Sequence, residues 1–420
     1  MAVVISQRKW FILLATATTT TILLMLINKP NFQAIDYHEQ RSTLFLEKIT
    51  LKNEKPGKNW RGLTETEISK LSVLGRILYL EEEPPQIADP KRNYQIFVWK
   101  YGKTIENRHL KQYGNQFVNP FSDCPVQNCH ITYNETALKT ADIVIFHMHR
   151  MKPGDLPKRT SHESQIWAFL TDESPHHTFL SANNLTNYNG VFNWSMTYRM
   201  DADIPVPYGR TILRKTPIEQ DSILKRRDVL VAIMGSNCGG TNKRWEYVKE
   251  LQKHIVVDTY GGCGSIKTCP GHFKKDCPQL GEYLFYLSFE NSNCDEYVTE
   301  KLWWNAFEKN SIPIVMGAPV ASYRKLLPPH SFLHVEDYAR PKDLAQHILY
   351  LNKTGKFRNY HKWKGDFEVL NEHAYFQSKS YHYCRVCEAL NYNQKHKKVY
   401  QDLSQFWGIT RDCYPAWNAR

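Results

Sequence analysis

The chain has 420 residues, enough for two or three domains around a substantial core. Apolar residues make up 42% and charged residues 23%, which excludes a disordered or collagen-like chain, and the presence of only one long apolar run excludes a polytopic membrane protein. Lys and Arg outnumber Asp and Glu by 54 to 42, a net charge of +12 that suits an anionic ligand without naming one.

In chain order, the first element is Trp10 to Ile27, 18 residues without a charge. As a helix this run would span about 27 Å, enough for a thin bilayer. Arg8 and Lys9 precede it, a bias that keeps residues 1–9 cytoplasmic and sends residues 28–420 to the lumen. A cleaved signal peptide starts in the same way. The run exceeds the usual apolar stretch of such a peptide, however, and Asn28, Lys29 and Pro30 follow it instead of a small-residue cleavage site. The reading is therefore an uncleaved signal-anchor at 10–27. Four Asn-x-Ser/Thr sequons, at Asn134, Asn184, Asn193 and Asn352, agree with a luminal fate. In that oxidising compartment the ten cysteines read as disulfides, with connectivity open. The spacing Cys124-x4-Cys129 with Cys384-x2-Cys387 would also suit a four-thiolate zinc site, which a lumen disfavours.

Residues 28–90 read as a stem. Within it Thr64 to Glu67 forms a capping-box pattern, and Ile68, Leu71, Leu74, Ile77 and Leu78 follow at helical spacing. That stripe fits either a homodimer contact through the stem or docking on the neighbouring domain. Glu81 to Pro85 ends the helix. Next come apolar runs at 95–99, 142–146 and 166–170, which read as parallel strands covered on both faces. A Pro-bearing linker is expected at Ile204 to Gly209. A second set then begins, with strands at 229–234, 255–258, 284–289 and 312–316 and helices at 243–253 and 299–309. Such alternation in two blocks predicts an α/β protein with two Rossmann-like domains facing across a cleft.

The densest stretch is Phe289 to Trp303, which joins a buried strand to a helix. Ligands of open α/β sheets bind at that edge, and helix N-termini favour anions. Thr299 is placed to cap the helix, leaving Glu300 and Lys301 in its first turn. A lysine there opposes the helix dipole unless an anion such as a diphosphate lies between them; on its own the pattern fits a solvated lysine better, the usual fate of such residues. Asp201-Ala-Asp203 has the Asp-x-Asp spacing that holds Mg2+ or Mn2+ in one class of glycosyltransferases, and a solvated turn explains it as well. His176 and His177 are acid-base candidates among 17 histidines. Glu173, in Thr171 to Pro175 just after an apolar strand, is the better candidate base.

Together these stretches resemble the α1,3-fucosyltransferase family, whose donor is GDP-fucose. The carrying motifs are FYLSFENSNCDEYVTEKLWWNAFEKNSIPIVMGAP (285–319), DESPHH (172–177), FNWSMTYRMDADIPVPYG (192–209), VAIMGSNCGGTNKRWEYVKELQ (231–252) and the cysteine pair at 384 and 387. Their order spans residues 94 to 390. The resemblance implies a GT-B-like fold and a Golgi type II membrane layout: tail 1–9, anchor 10–27, stem 28–90, acceptor-side domain 91–225, GDP-fucose-binding domain 226–372 and C-terminal cysteine-containing segment 373–420. It implies Glu173 as general base, Arg244 and Lys301 as cations on the diphosphate, and Ser236, Asn291, Tyr297 and Glu300 as donor-binding residues. No cofactor is implied, divalent metal is at most stimulatory, and Asp201 and Asp203 become structural.

The implied reaction is inverting transfer of L-fucose to the 3-hydroxyl of GlcNAc in N-glycans, core GlcNAc favoured. Antennary N-acetyllactosamine (Lewis-type) acceptors are the alternative, and a luminal lectin without turnover is a weaker one. Expected partners are GDP-fucose, an N-glycan on a glycoprotein and the Golgi membrane, with no nucleic acid.

Overall fold

The computed structural model describes residues 57, 59–87, 89–111, 119–159, 164–218, 225–269, 275–394 and 398–418. The expected anchor at 10–27 and about half of the stem lie outside the described residues. Among those described, no helix is long and apolar enough to cross a membrane. Residues from Lys58 to Arg420 form one compact unit.

The stem helix expected after Thr64 is two helices, α1 (Glu65–Ile68) and α2 (Val73–Leu80). Thr64 and Glu67 make the reciprocal bonds of a capping box. Ser72 then caps α2 by accepting from the Gly75 amide, so the break falls where a hydroxyl competes for the backbone. Leu74 and Leu78 are buried, and Ile68, Leu71 and Ile77 pack on the same core. The apolar stripe thus docks in large part on its own chain. Arg61 fastens this segment: its buried guanidinium donates to the carbonyls of Tyr79, Lys325, Leu326 and Thr211.

The first sheet contains β1 (Tyr94–Val98), β2 (Cys129–Thr132), β3 (Ile143–His147), β4 (Ile166–Thr171), β5 (Trp194–Thr197) and β6 (Ile204–Pro205); helix α3 (Gly102–His109) follows β1. The strands are all parallel, in the order β2-β1-β3-β4-β5-β6. Every residue of β3 and β4 is buried, as parallel strands covered on both faces require. The linker expected at Ile204 to Gly209 is instead the edge strand β6 and the start of β7 (Gly209–Leu213). Pro205 misled the sequence reading, because proline is tolerated on an edge strand, where no further ladder bond is needed.

The second sheet is built from β8 (Val231–Met234), helix α4 (Arg244–Gln252), β9 (Val257–Tyr260), β10 (Phe285–Phe289), helix α5 (Glu300–Leu302), β11 (Ile312–Met316), helix α6 (Val320–Leu326) and β12 (Leu333–His334). It too is parallel, in the order β12-β11-β10-β8-β9. The helix expected at 299–309 winds as α only through α5 and continues as a π-helix from Trp303 to Glu308. After helix α7 (Pro341–Thr354), strand β13 (Phe367–Asn371) pairs antiparallel with β7. The chain then returns to the first sheet as α8 (His382–Tyr392).

All ten cysteines are paired. Cys124–Cys384 and Cys129–Cys387 fasten α8 beside β2, Cys294–Cys413 ties the loop after β10 to the C-terminal segment, and Cys238–Cys263 and Cys269–Cys277 are local. The four residues with zinc-like spacing are therefore two bridges.

Candidate active site

One cleft of about 410 Å³ gathers the sequence candidates: Glu173, Ser236, Arg244, Asn291, Tyr297, Glu300 and Lys301 all line it. They arrive from the carboxyl ends of β4, β8 and β10, where the strands stop and helix N-termini begin.

Glu173 stands two residues past β4, half-buried, and its Oε2 accepts a hydrogen bond from Tyr297 Oη at 2.9 Å. Tyr297 is buried, and burial first, then Glu173 and other carboxylates, push its phenol well above the ordinary value. It is a fixed donor. The residues on either side of Glu173 are pinned as well. Ser292 Oγ donates to Ser174 Oγ at 2.6 Å, and Tyr208 Oη donates to the Asp172 carbonyl at 2.8 Å. The Asp172 carboxylate, buried, meets Arg108 at 3.2 Å, His382 Nε2 at 3.2 Å and His373 Nε2 at 3.4 Å. Burial pushes the His373 imidazole down to about 3, and the rings of His382 and His109 also fall. These rings are neutral at pH 7, so Arg108 is the cation that faces Asp172. Burial opposes the Asp172 charge, yet the His373 and His382 contacts hold the carboxyl well below the usual range.

Across the cleft lies a ladder of charges. Lys301 Nζ contacts Thr299 Oγ1 at 2.8 Å, Glu290 Oε2 at 3.1 Å and Glu300 Oε1 at 3.2 Å. Burial alone would lower the ammonium, but Glu290 and Glu300 outweigh it and raise its pKa above the lysine value. Lys301 is thus charged, and in the other direction it holds the Glu300 carboxyl below its ordinary value against burial. Arg244, 4% exposed, opens α4 and donates to the Phe289 carbonyl at 3.0 Å and the Asn237 carbonyl at 2.7 Å. Burial lowers its pKa, with Glu290, Tyr297 and Glu300 offsetting part of that cost. Two cations in a partly enclosed cleft are chemistry that suits an anion.

One sequence expectation needs correction, and two residues of the cleft were not foreseen. Thr299 occupies the cap position, but its side chain caps nothing; its hydroxyl donates to Glu290, and the Glu290 carboxylate also accepts from the Thr299 amide at 2.8 Å. Glu290 is therefore the group at the head of α5, and the sequence reading missed it. Its burial, 1% exposed, raises its carboxyl pKa. The available signal was a carboxylate in the first position after a fully buried strand. Lys267, also missed, lines the cleft with its ammonium held by the carbonyls of Gly261, Gly262 and Gly264. Asn291 reaches the cleft while its carbonyl accepts from the Thr241 amide at 2.8 Å.

The remaining candidates lie elsewhere. Asp201 is bound to Arg199 at 2.8 and 2.7 Å, and Asp203 accepts from the Ser195 amide, Lys398 and Tyr400. Neither carboxylate lines the cleft, and both are spent on structural bonds. His176 and His177 are half-buried outside the lining. Among the sequons, Asn134 and Asn184 are exposed and cap short turns through Oδ1, and Asn352 Oδ1 accepts from Arg227. Asn193 is engaged on both sides of its amide, accepting from the Trp167 amide at 2.9 Å and donating to the Lys398 carbonyl at 2.9 Å.

Residues 91–209 match the model "Fucosyltransferase, N-terminal", and residues 224–407 match "Glycosyltransferase family 10 (fucosyltransferase) C-term". The chain is 36% identical to glycoprotein 3-alpha-L-fucosyltransferase A of Drosophila melanogaster over 68% of its own length, spanning 55% of that relative. It is 32% identical to human 4-galactosyl-N-acetylglucosaminide 3-alpha-L-fucosyltransferase 9, over 74% of this chain and 81% of that one. A solved alpha1,3-fucosyltransferase with GDP-fucose aligns over 79% of this chain and 98% of its own, at 17% identity and a TM-score of 0.48. From the two family matches and the human relative, the chain is a glycosyltransferase and belongs to glycosyltransferase family 10, the fucosyltransferases.

Proposed function

We propose that this chain transfers L-fucose from GDP-β-L-fucose, with inversion, to the 3-hydroxyl of GlcNAc in N-glycans, the core GlcNAc foremost. The observation that carries the reading is the sharing of one cleft by Glu173, held by Tyr297, with Arg244 and Lys301. Glu173 takes the proton of the acceptor hydroxyl as that oxygen attacks fucose C1 from the face opposite GDP. The C1–O bond to the diphosphate breaks, and negative charge grows on the departing oxygens. Arg244 and Lys301 stabilise that charge where it develops. Glu300 accepts from sugar hydroxyls, and Ser236, Asn291 and Tyr297 complete the donor pocket. The two cations supply the positive charge, so a divalent ion is at most stimulatory.

In this reading the fold is GT-B-like, with the six-stranded half on the acceptor side and the five-stranded half on the donor side. The run at 10–27 anchors the chain as a type II protein with its catalytic part in the Golgi lumen. Five disulfides favour such an oxidising compartment. The acceptor assignment leans on the Drosophila relative, whose name specifies a glycoprotein substrate.

The test is incubation of the purified enzyme with GDP-fucose and a defined panel of N-glycans, with mass spectrometry locating the added deoxyhexose, with and without EDTA. Addition at the innermost GlcNAc is expected, in EDTA as well. Addition only to antennary GlcNAc would favour the Lewis-type activity. Transfer to no GlcNAc-bearing acceptor would overturn the enzymatic reading and leave the lectin.

A further inference from the structure

Two glycine-rich turns form the outer wall of the cleft, Gly235 to Gly240 after β8 and Gly261 to Gly264 after β9. They touch directly: the Cys263 amide donates to the Gly235 carbonyl at 2.9 Å. A Cβ on Gly261, at φ +82, would lie 2.8 Å from that same carbonyl oxygen, so only glycine permits the approach. Ser236, Asn237 and Cys238 are nevertheless exposed, and the turn rests on the Trp245 indole only at Gly235. What joins the turns covalently is Cys238–Cys263. Cys238 is the direct neighbour of Asn237, whose carbonyl accepts from Arg244 Nη2 at 2.7 Å and from Trp245 Nε1 at 3.0 Å. The other hold on Arg244, the Phe289 carbonyl, sits at the end of a fully buried strand. One anchor of the guanidinium is thus rigid through its core, and the other is rigid through the bridge.

We propose that Cys238–Cys263 is a positioning element for the donor, fixing the Asn237 carbonyl and through it the aim of Arg244 at the diphosphate; this rests on the donor role given to Arg244 above. The bridge touches neither Glu173 nor its partners, so it acts on donor binding and not on proton removal. An open bridge leaves the turn to be ordered by the nucleotide itself, at the expense of affinity.

The test compares wild type with the double variant Cys238→Ser/Cys263→Ser. The Michaelis constant for GDP-fucose, and the Kd for GDP, are expected to rise about tenfold, equivalent to about 1.4 kcal/mol, with kcat within about twofold. A bridge that only stabilises the fold would lower Tm and leave both donor constants unchanged, which would overturn the proposal. A second route avoids mutation. Brief treatment of the folded enzyme with dithiothreitol passes two electrons to the exposed bridge, giving two thiols and the cyclic oxidised dithiol. Alkylation and peptide mapping identify preparations labelled at Cys238 and Cys263 but not at the buried Cys294, Cys384 and Cys387. These should show the same rise, reversed on reoxidation; unchanged donor constants in them would overturn the proposal. Arg244→Ala separates the two levels of inference. If it leaves donor affinity intact, the donor reading fails. If it weakens the donor while opening the bridge does not, the bridge proposal fails alone.

Discussion

Glu173 and Lys301 both stand where a buried parallel strand gives way to the cleft, yet their surroundings differ in kind. On the six-stranded side the base candidate is held by a tyrosine, by residues pinned before and after it, and by a web of neutral histidines around Asp172. The strands there are fastened by bridges that reach across most of the chain. On the five-stranded side, alternating charges surround Lys301, and the wall is made of glycine-rich turns with a local bridge. The difference follows from the task. A base must sit at one distance from one hydroxyl, so rigid packing serves it. A diphosphate is multivalent, arrives and leaves, and needs cations that remain charged while partly enclosed, which the carboxylates Glu290 and Glu300 secure for Lys301.

The sharpest way to break this contrast is Glu173→Gln. The amide still accepts from Tyr297 but takes no proton, so kcat should fall by at least about 10³-fold while Kd for GDP stays unchanged by calorimetry. Retained turnover would remove Glu173 from the role of base. Lys301→Ala should cost about 10²- to 10³-fold in kcat/KM, with a weaker donor Kd as the mark of its side of the cleft. Wild-type donor binding there would dissolve the distinction between the halves. Asp172→Asn tests whether the histidine web matters only through position. A loss of about 10²-fold in kcat, with GDP affinity intact, is expected if the loop shifts by about an ångström.

The smallest effect concerns pH. His147, with an imidazole pushed down to about 4 by burial, and His373, down to about 3, both belong to the six-stranded side of the cleft. A group whose pKa is depressed by folding takes up protons mainly in the unfolded chain. Its contribution is therefore complete above the unfolded value near 6.5 and is lost as pH falls toward the folded value. Tm should drop between pH 7 and 5, by the equivalent of about 2 kcal/mol for each such ring, and His373→Asn should flatten the slope.

The long buried strands were legible because nothing else explains a continuous apolar run: β3, β4, β10 and β11 fall within a residue or two of their expected places. The edges were not. β6 carries a proline and has two residues, so its apolar content resembles a linker. The π-helical turn from Trp303 was invisible, since α and π winding use the same residues and differ in how the backbone closes its bonds. The candidate site was legible where chemistry clusters in one segment, Phe289 to Trp303. It was illegible where the fold collects residues from afar: Arg108 and, from the C-terminal segment, His373 and His382 meet at the Asp172 carboxylate.

Cys384 and Cys387 close bridges 260 and 258 residues long, and they lie on a helix that completes the first half of the molecule. Synthesis runs the other way. At about 5–20 residues per second, the chain between Cys124 and Cys384 takes roughly 13–50 s to make. Through that interval β2 and its neighbours wait without their covering helix, and both early cysteines stand open to the wrong partner. Of the two halves, the one that holds Glu173 leaves the ribosome first, yet its two long bridges wait for cysteines made about 260 residues later, so its covalent closure follows its synthesis at a distance.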